Sequence, residues 1–345
     1  MKTQLPIAIA LFAVASIARG GTPLVYCTDN VVGIQFALDA AHDNGQDDVI
    51  RLVGGTYALT AVLAMTTAET NTLDISGGWN ADCTQQTGGT TLLDGQGQFL
   101  VLSVESTVAS YIHVSRIDFS NGHRPTVNSD PAAGLVVRSL GSVLIEQNLL
   151  VLNHHDGSYT GGLYAYVGGV GTLTVRNNLF FGNSSPHAVG AADLYANGGG
   201  EAYVNGNTAV ANQITANGET GGIFLRGAAH FTLANNILWN NTGGDLYIGV
   251  TGGTLLRNDD IGVLAGLAAE PGSAGNLDVD PVFAGGSFNF RLASSSPLVN
   301  AGIDAPPGGA GTWDAAGAPR LQLPHLDIGA YETDVIFYSG WEPLP

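Results

Sequence analysis

Lysine is all but missing from this chain. Lys2 is the single lysine in 345 residues, and Lys plus Arg number 11 against 29 Asp plus Glu, a formal net charge of −18. Nucleic-acid backbones and anionic lipid surfaces are gripped by clustered Lys and Arg, so neither is expected as a partner. Charge of either sign is scarce, at 12% of residues against about 25% in ordinary globular chains. Disorder does not follow, because 45% of residues are hydrophobic and the mean hydropathy is +0.18. Long apolar runs are missing too. The longest, Ile7 to Ala18, is too short to span a bilayer, so no transmembrane segment is expected once it is removed. It follows the basic start Met1-Lys2 and precedes small residues, which is the pattern of a secretory signal peptide over residues 1–20. Cysteine is limited to Cys27 and Cys83. In an exported chain two cysteines most simply form one disulfide, and the rival readings (metal ligands, a nucleophile) lack a second pair or a nearby signature.

Glycine and asparagine are abundant instead. The 49 glycines follow no three-residue period, which excludes collagen. Of the 24 asparagines, 17 lie between residues 121 and 258. Asn148, Asn178, Asn207 and Asn236 each follow a short β-like run, at spacings of 30, 29 and 29, and Asn153, Asn183, Asn212 and Asn241 trail them by five. Weaker copies flank this core at Arg116 to Asn121 and Arg257 to Gly262. Small-residue turns lead into a first strand at Leu135, Leu163, Leu194, Ile223 and Leu246. A second strand follows at Val143 to Glu146, Leu173 to Arg176, Ala202 to Asn205, Phe231 to Ala234 and Thr254 to Arg257, and a third short run follows the Asn turn. Three short strands per repeat without a helical pattern read as one coil of a solenoid whose equivalent strands stack into parallel sheets. Asn tolerates the left-handed backbone of a sharp bend, and stacked Asn amides bond from coil to coil. Residues 31–42 set Ile34, Leu38 and Ala41 at helical spacing, a short helix that caps the first coil.

On these residues the chain resembles the right-handed parallel β-helix of the pectate-lyase-like superfamily over roughly residues 50–290. The resemblance implies an all-β fold and a helix-capped solenoid. The opening DVIRLVGGTY at 48–57 and Ser76-Gly77-Gly78-Trp79 before Cys83 are similar to the N-terminal part of secreted bacterial β-helix proteins. Towards the end, DVDPVF at 278–283, Ser296-Pro297, Asn300-Ala301-Gly302, Asp314, Gly317, Arg320 and the run Asp327 to Glu332 resemble the choice-of-anchor Q domain of bacterial surface proteins, which implies export and surface life rather than a reaction. The expected organisation is a signal peptide (1–20), a capped β-helix (21–290), a closing segment (291–333) in which Arg320 pairs internally with Asp314 or Asp327, and a tail (334–345).

Alternation along the first strands turns Leu135, Leu163, Leu194, Ile223 and Leu246 inward. Val136, Tyr164, Tyr195, Phe224 and Tyr247 then face outward, beside Arg138 and Arg226. Stacked strands lie about 4.8 Å apart, close to one sugar unit, and Arg forks suit carboxylate or sulfate. Tyr164, Tyr195, Phe224, Tyr247, Arg138 and Arg226 are therefore the candidate glycan-binding residues. The long loops entering this sheet carry His123, Arg124, Asp130, His154, His155, Asp156, His187 and Glu219. Within them His154, His155 and Asp156 are the candidate catalytic group, since a His–Asp pair suits acid–base work; grouped His and carboxylate could also bind a metal, but neither reading has diagnostic spacing and no metal ligand is assigned. A β-helix lyase would be expected to use Ca²⁺-bound carboxylates with an Arg or Lys base, and a glycosidase two spaced carboxylates; neither set stands clearly on one face. The expectation is a secreted or cell-surface monomer that binds or scaffolds on polysaccharide. The alternatives are a lyase or hydrolase acting on an acidic glycan, and a purely structural stalk or adhesin. No cofactor is implied, although the acidic excess leaves Ca²⁺ open.

Overall fold

The computed structural model describes residues 22–87, 89–125, 130–285, 289–320 and 325–333. The expected signal peptide and C-terminal tail lie outside the described residues. The chain winds as a right-handed parallel β-helix with three long faces of nine, eight and eight strands. Each full coil runs from a first-face strand such as Leu135–Ser139, through a second-face strand such as Val143–Glu146, to a third-face strand such as Leu149–Val151. A narrow fourth face of two-residue strands (His123–Arg124, His154–His155, Ser184–Ser185, Gln213–Ile214) joins the third face to the loops that return to the first. All pairings among these strands are parallel, as a solenoid requires. The second-face strands fall where the repeat places them, at Leu173–Arg176, Glu201–Asn205, His230–Ala234 and Thr254–Arg257.

Alternating side chains fill the interior. Leu135, Leu163, Leu194, Ile223 and Leu246 are all fully buried, as are Val143, Leu173, Ala202 and Phe231 on the second face. The helix Val31–Ala41 covers the first coil with Ile34, Ala37, Leu38 and Ala41. Asn30 caps it by accepting from the Gly33 N–H at 2.8 Å. Gln35 of this helix exchanges two hydrogen bonds with the Ala64 backbone (2.8 and 3.0 Å), which occupies the free edge of the first face. Cys27 and Cys83 form a disulfide with Cα atoms 5.8 Å apart, tying the edge strand Leu24–Thr28 to a turn 56 residues on.

Two buried amide ladders hold the coils in register. Asn148, Asn178, Asn207 and Asn236 donate in sequence at 3.2, 3.0 and 3.0 Å, and Asn236 donates to Asp259 at 2.7 Å. Asn153, Asn183, Asn212 and Asn241 repeat this at 2.9 Å per step and end on Asp245 at 2.7 Å. Both Asp245 and Asp259 accept where the next Asn would stand, so neither belongs to a surface site. The left-handed bend expected at the ladder residues falls one position earlier, at Gln147, Asn177, Gly206, Asn235 and Asn258, with φ between 52° and 60°. The ladder residue points its amide inward, and its predecessor points outward.

Those outward side chains explain the C-terminal part. Rather than adding a closing coil, it runs back along the outside of the solenoid. Asn258 donates to Ala301 O, Asn235 to Ile303 O, Asn177 to Ala310 O and Trp313 O, and Gln147 to Asp314 O, all between 2.7 and 3.0 Å. Gly206 interrupts this column, and Arg320 fills the gap: a Cβ there would lie 2.8 Å from the Arg320 Nη2. Arg320 is fully buried and pairs with Glu332 at 3.1 Å, while its Nη2 donates to Asp327 O. The expected internal ion pair therefore exists with a different acid. The carboxylates of Asp314 and Asp327 instead accept backbone N–H groups of this segment.

Candidate functional site

The first face carries most of the sequence-predicted residues, in a changed register. Leu163 pairs with Ala192 rather than Leu194, so Tyr164 aligns with Asp193 and Tyr166 with Tyr195. One outward column reads Val136, Tyr164, Asp193, Phe224, Tyr247, and the other Arg138, Tyr166, Tyr195, Arg226. The first column is not an open stripe. Ala132 packs on Val136, while Ala188 and Val189 pack on Phe224, which is 8% exposed. The return loops thus form a wall over this column, and Tyr164 and Tyr247 are half-buried against it. In the second column Arg138 and Arg226 are 37% and 42% exposed, and Tyr166 and Tyr195 are half-buried. The Tyr166 and Tyr195 rings meet edge to face at 5.1 Å.

Both arginines of this face already hold carboxylates. Arg138 pairs with Glu105 at 3.1 Å and lies over the Tyr164 ring. Arg226 Nε donates to Asp193 Oδ1 at 2.9 Å and its Nη2 bonds the second oxygen, while the guanidinium lies over Tyr195 and Phe224. Asp193 sits beneath Arg226 at 2% exposure, not at a turn. Burial pushes its carboxyl above the ordinary range, and the guanidinium opposes that shift. These pairs brace the aromatic rings across neighbouring coils and occupy the forks that an acidic sugar would need.

The histidines separate. His155 turns inward and is fully buried, with Nε2 3.1 Å from Asp130 O and Nδ1 accepting the Gly157 N–H at 2.8 Å. Burial lowers its pKa, and both ring nitrogens are engaged inside the body, away from the surface pair. His154 and Asp156 stay together at the surface, 2.9 Å apart. His123, one coil earlier and in register with His154, joins them at 3.1 Å from the same Asp156 oxygen. The sequence places His123 on this edge without grouping it, and only cross-coil pairing makes the group visible.

A cleft of about 270 Å³ opens where the C-terminal segment leaves the coils, lined by Arg116, Asp118, Gln147, Ala315, Gly317 and Tyr331 among others. Arg116 heads the outward column of bend residues and, among the described residues, has no carboxylate within ion-pair distance. Burial pushes Asp118 up, and pushes the Tyr331 phenol to about 12. On the second face, His113 bridges Asp74 and Glu146 at 3.3 and 3.1 Å, and Arg176 joins Glu146 at 2.7 Å. Burial alone would lower the His113 pKa, but the two carboxylates raise it to about 9. This is a braced ion network across coils, with each charge matched.

No helix among the described residues is long and apolar enough to cross a membrane. Compared with known proteins, the chain matches no family model, no curated protein and no solved structure, so the parallel β-helix rests on its own strand pairings.

Proposed function

We propose that this protein is exported and binds a neutral polysaccharide chain along its first face, with the return-loop wall on one side. The observation that carries the reading is the half-buried Tyr166–Tyr195 pair, one ring per coil, flanked by Tyr164 and Tyr247. Flat aromatic faces are suited to the apolar faces of sugar rings, and the coil spacing is close to one sugar unit. A neutral chain is favoured over an acidic one for two reasons. Arg138 and Arg226 are engaged by Glu105 and Asp193, and a chain of net charge −18 repels polyanions. Binding is favoured over cleavage because those same two carboxylates, the only ones on the described first-face strands of these coils, are tied up in ion pairs. The resemblance to pectate-lyase-like β-helices and choice-of-anchor Q surface proteins supports export and surface life, as does the disulfide.

The test is retention on a panel of neutral and acidic polysaccharides, with a reducing-end assay alongside. Tyr166→Ala with Tyr195→Ala is expected to weaken retention on neutral glycans at least tenfold, about 1.4 kcal/mol, while the lost ring pair lowers stability by about 0.5–1.5 kcal/mol and leaves the chain folded. Retention that survives the double substitution overturns the reading, and new reducing ends replace binding with catalysis.

A further inference from the structure

We propose that His123, His154 and Asp156 form a binding site for a divalent transition-metal ion of the Zn²⁺ class on the fourth face. The two imidazoles come from neighbouring coils. Strand register sets His123 directly against His154, and their rings stack at 5.7 Å with planes 11° apart. Parallel stacking turns both Nε2 atoms the same way, towards Asp156 Oδ1, at 3.1 and 2.9 Å. One ligand atom from each residue lies within 4.8 Å of the other two. Three donors this close can converge on one ion with small rotations of the side chains, at metal–ligand distances of about 2.0–2.2 Å.

The surroundings favour a metal over a mere surface pair. Asp156 is fixed by its own N–H, which donates to Arg124 O at 2.8 Å. His154 Nδ1 lies 2.8 Å from Ser184 Oγ, its register partner on the next coil. When a metal takes Nε2 in place of the Asp156 contact, Nδ1–H can donate to that hydroxyl, as an outer partner does for a metal-bound histidine. Arg124, the nearest cation on these strands, is neutralised by Asp130. The Asp156 carboxylate stands within a chain of net charge −18, which draws a dication. Two nitrogen donors select Zn²⁺, Co²⁺, Ni²⁺ or Cu²⁺ over Ca²⁺ and Mg²⁺, which want oxygen. All three side chains are between 30% and 43% exposed, so further coordination positions face solvent.

The full-length, untagged chain, stripped with a chelator, is titrated with Zn²⁺ in competition with a chromophoric chelator, and separately with Co²⁺ read by its visible absorption. One equivalent per chain is expected, with Co²⁺ bands of a nitrogen–oxygen site and a Zn²⁺-dependent rise in the unfolding midpoint. His154→Ala and Asp156→Asn are each expected to weaken binding more than about tenfold, while His187→Ala leaves it unchanged. Asp156→Asn keeps the shape of the turn and so serves if His154→Ala is unstable. Binding that is undetectable, that persists in both variants, or that is equally strong for Ca²⁺ overturns the proposal.

Discussion

Asn183 is fully buried and its side-chain amide makes four hydrogen bonds. Its Nδ2 donates to Leu150 O and Asn212 Oδ1, and its Oδ1 accepts both the N–H and the Nδ2 of Asn153. Truncation removes these bonds from the Asn153 N–H and Leu150 O, at about 1–3 kcal/mol for each that is not rescued, while Asn153 Nδ2 keeps Phe119 O and Asn212 Oδ1 keeps the Asn183 N–H. Asn183→Ala is therefore expected to cost at least about 3 kcal/mol by denaturant unfolding. Asn217→Ala, on an exposed loop, should stay within about 0.5 kcal/mol. The ladder was legible because each residue repeats at 29 or 30 and Asn offers an amide donor and a carbonyl acceptor side by side on one short arm. The bend was misplaced by one residue for a related reason. Gln147, Ala211 and Leu152 hold positive φ as the asparagines Asn177 and Asn235 do, so composition does not mark the column.

At the scale of the element, a strand reveals its faces more readily than its register. A slip of two residues keeps every inward side chain inward, so alternation cannot detect it. Ala191-Ala192-Asp193-Leu194 offers two such settings, and the structure takes the one that seats Asp193 beneath Arg226. The aromatic stripe thereby becomes two shorter groups, one walled by loops. The edge strand Leu24–Thr28 has a single strand neighbour, Asp48–Val53, and its covalent tie is Cys27–Cys83. Closing a loop of this length contributes on the order of 4 kcal/mol in the chain-entropy view. Cys27→Ser with Cys83→Ser should lower the unfolding midpoint and raise deuterium uptake first in residues 24–28. An unchanged midpoint together with unchanged uptake would show that the bond ties nothing.

At the scale of the whole molecule, buried acids set the response to pH. Burial raises Asp259 to about 7 and Asp260 to about 6, from an ordinary 3.8. Between about pH 4 and 7 the folded chain holds protons that the unfolded chain has released, so stability falls as pH rises through this window. His113, raised to about 9, adds stability that is complete below its ordinary 6.5 and is lost as pH passes 9. Glu146 acts in the opposite sense: its pairs with His113 and Arg176 outweigh burial and lower it, and its contribution fades only as pH falls below the carboxylate range. Self-repulsion at net charge −18 strengthens with pH as well. The unfolding midpoint should therefore be higher at about pH 5 than at about pH 8. Asp259→Asn, which keeps an acceptor for Asn236, should flatten the slope between them; an equally steep slope in that variant would assign the effect elsewhere.

The sequence by itself determined the solenoid, its three long faces, which side chains turn inward, the amide ladders, the capping helix and the disulfide. In a solenoid each coil touches only its neighbours, so a local rule repeated along the chain is also the global rule. Tertiary structure alone decided what carries no repeat. The C-terminal segment finds its place through bonds such as Gln147 to Asp314, 167 residues apart, which no periodicity announces. Arg138 and Arg226 acquire partners one coil away, and His123 meets His154 and Asp156 while His155 turns into the body. Such groupings depend on how one coil is seated on the next, and that seating is set by packing and register, to which the alternation of side chains is blind.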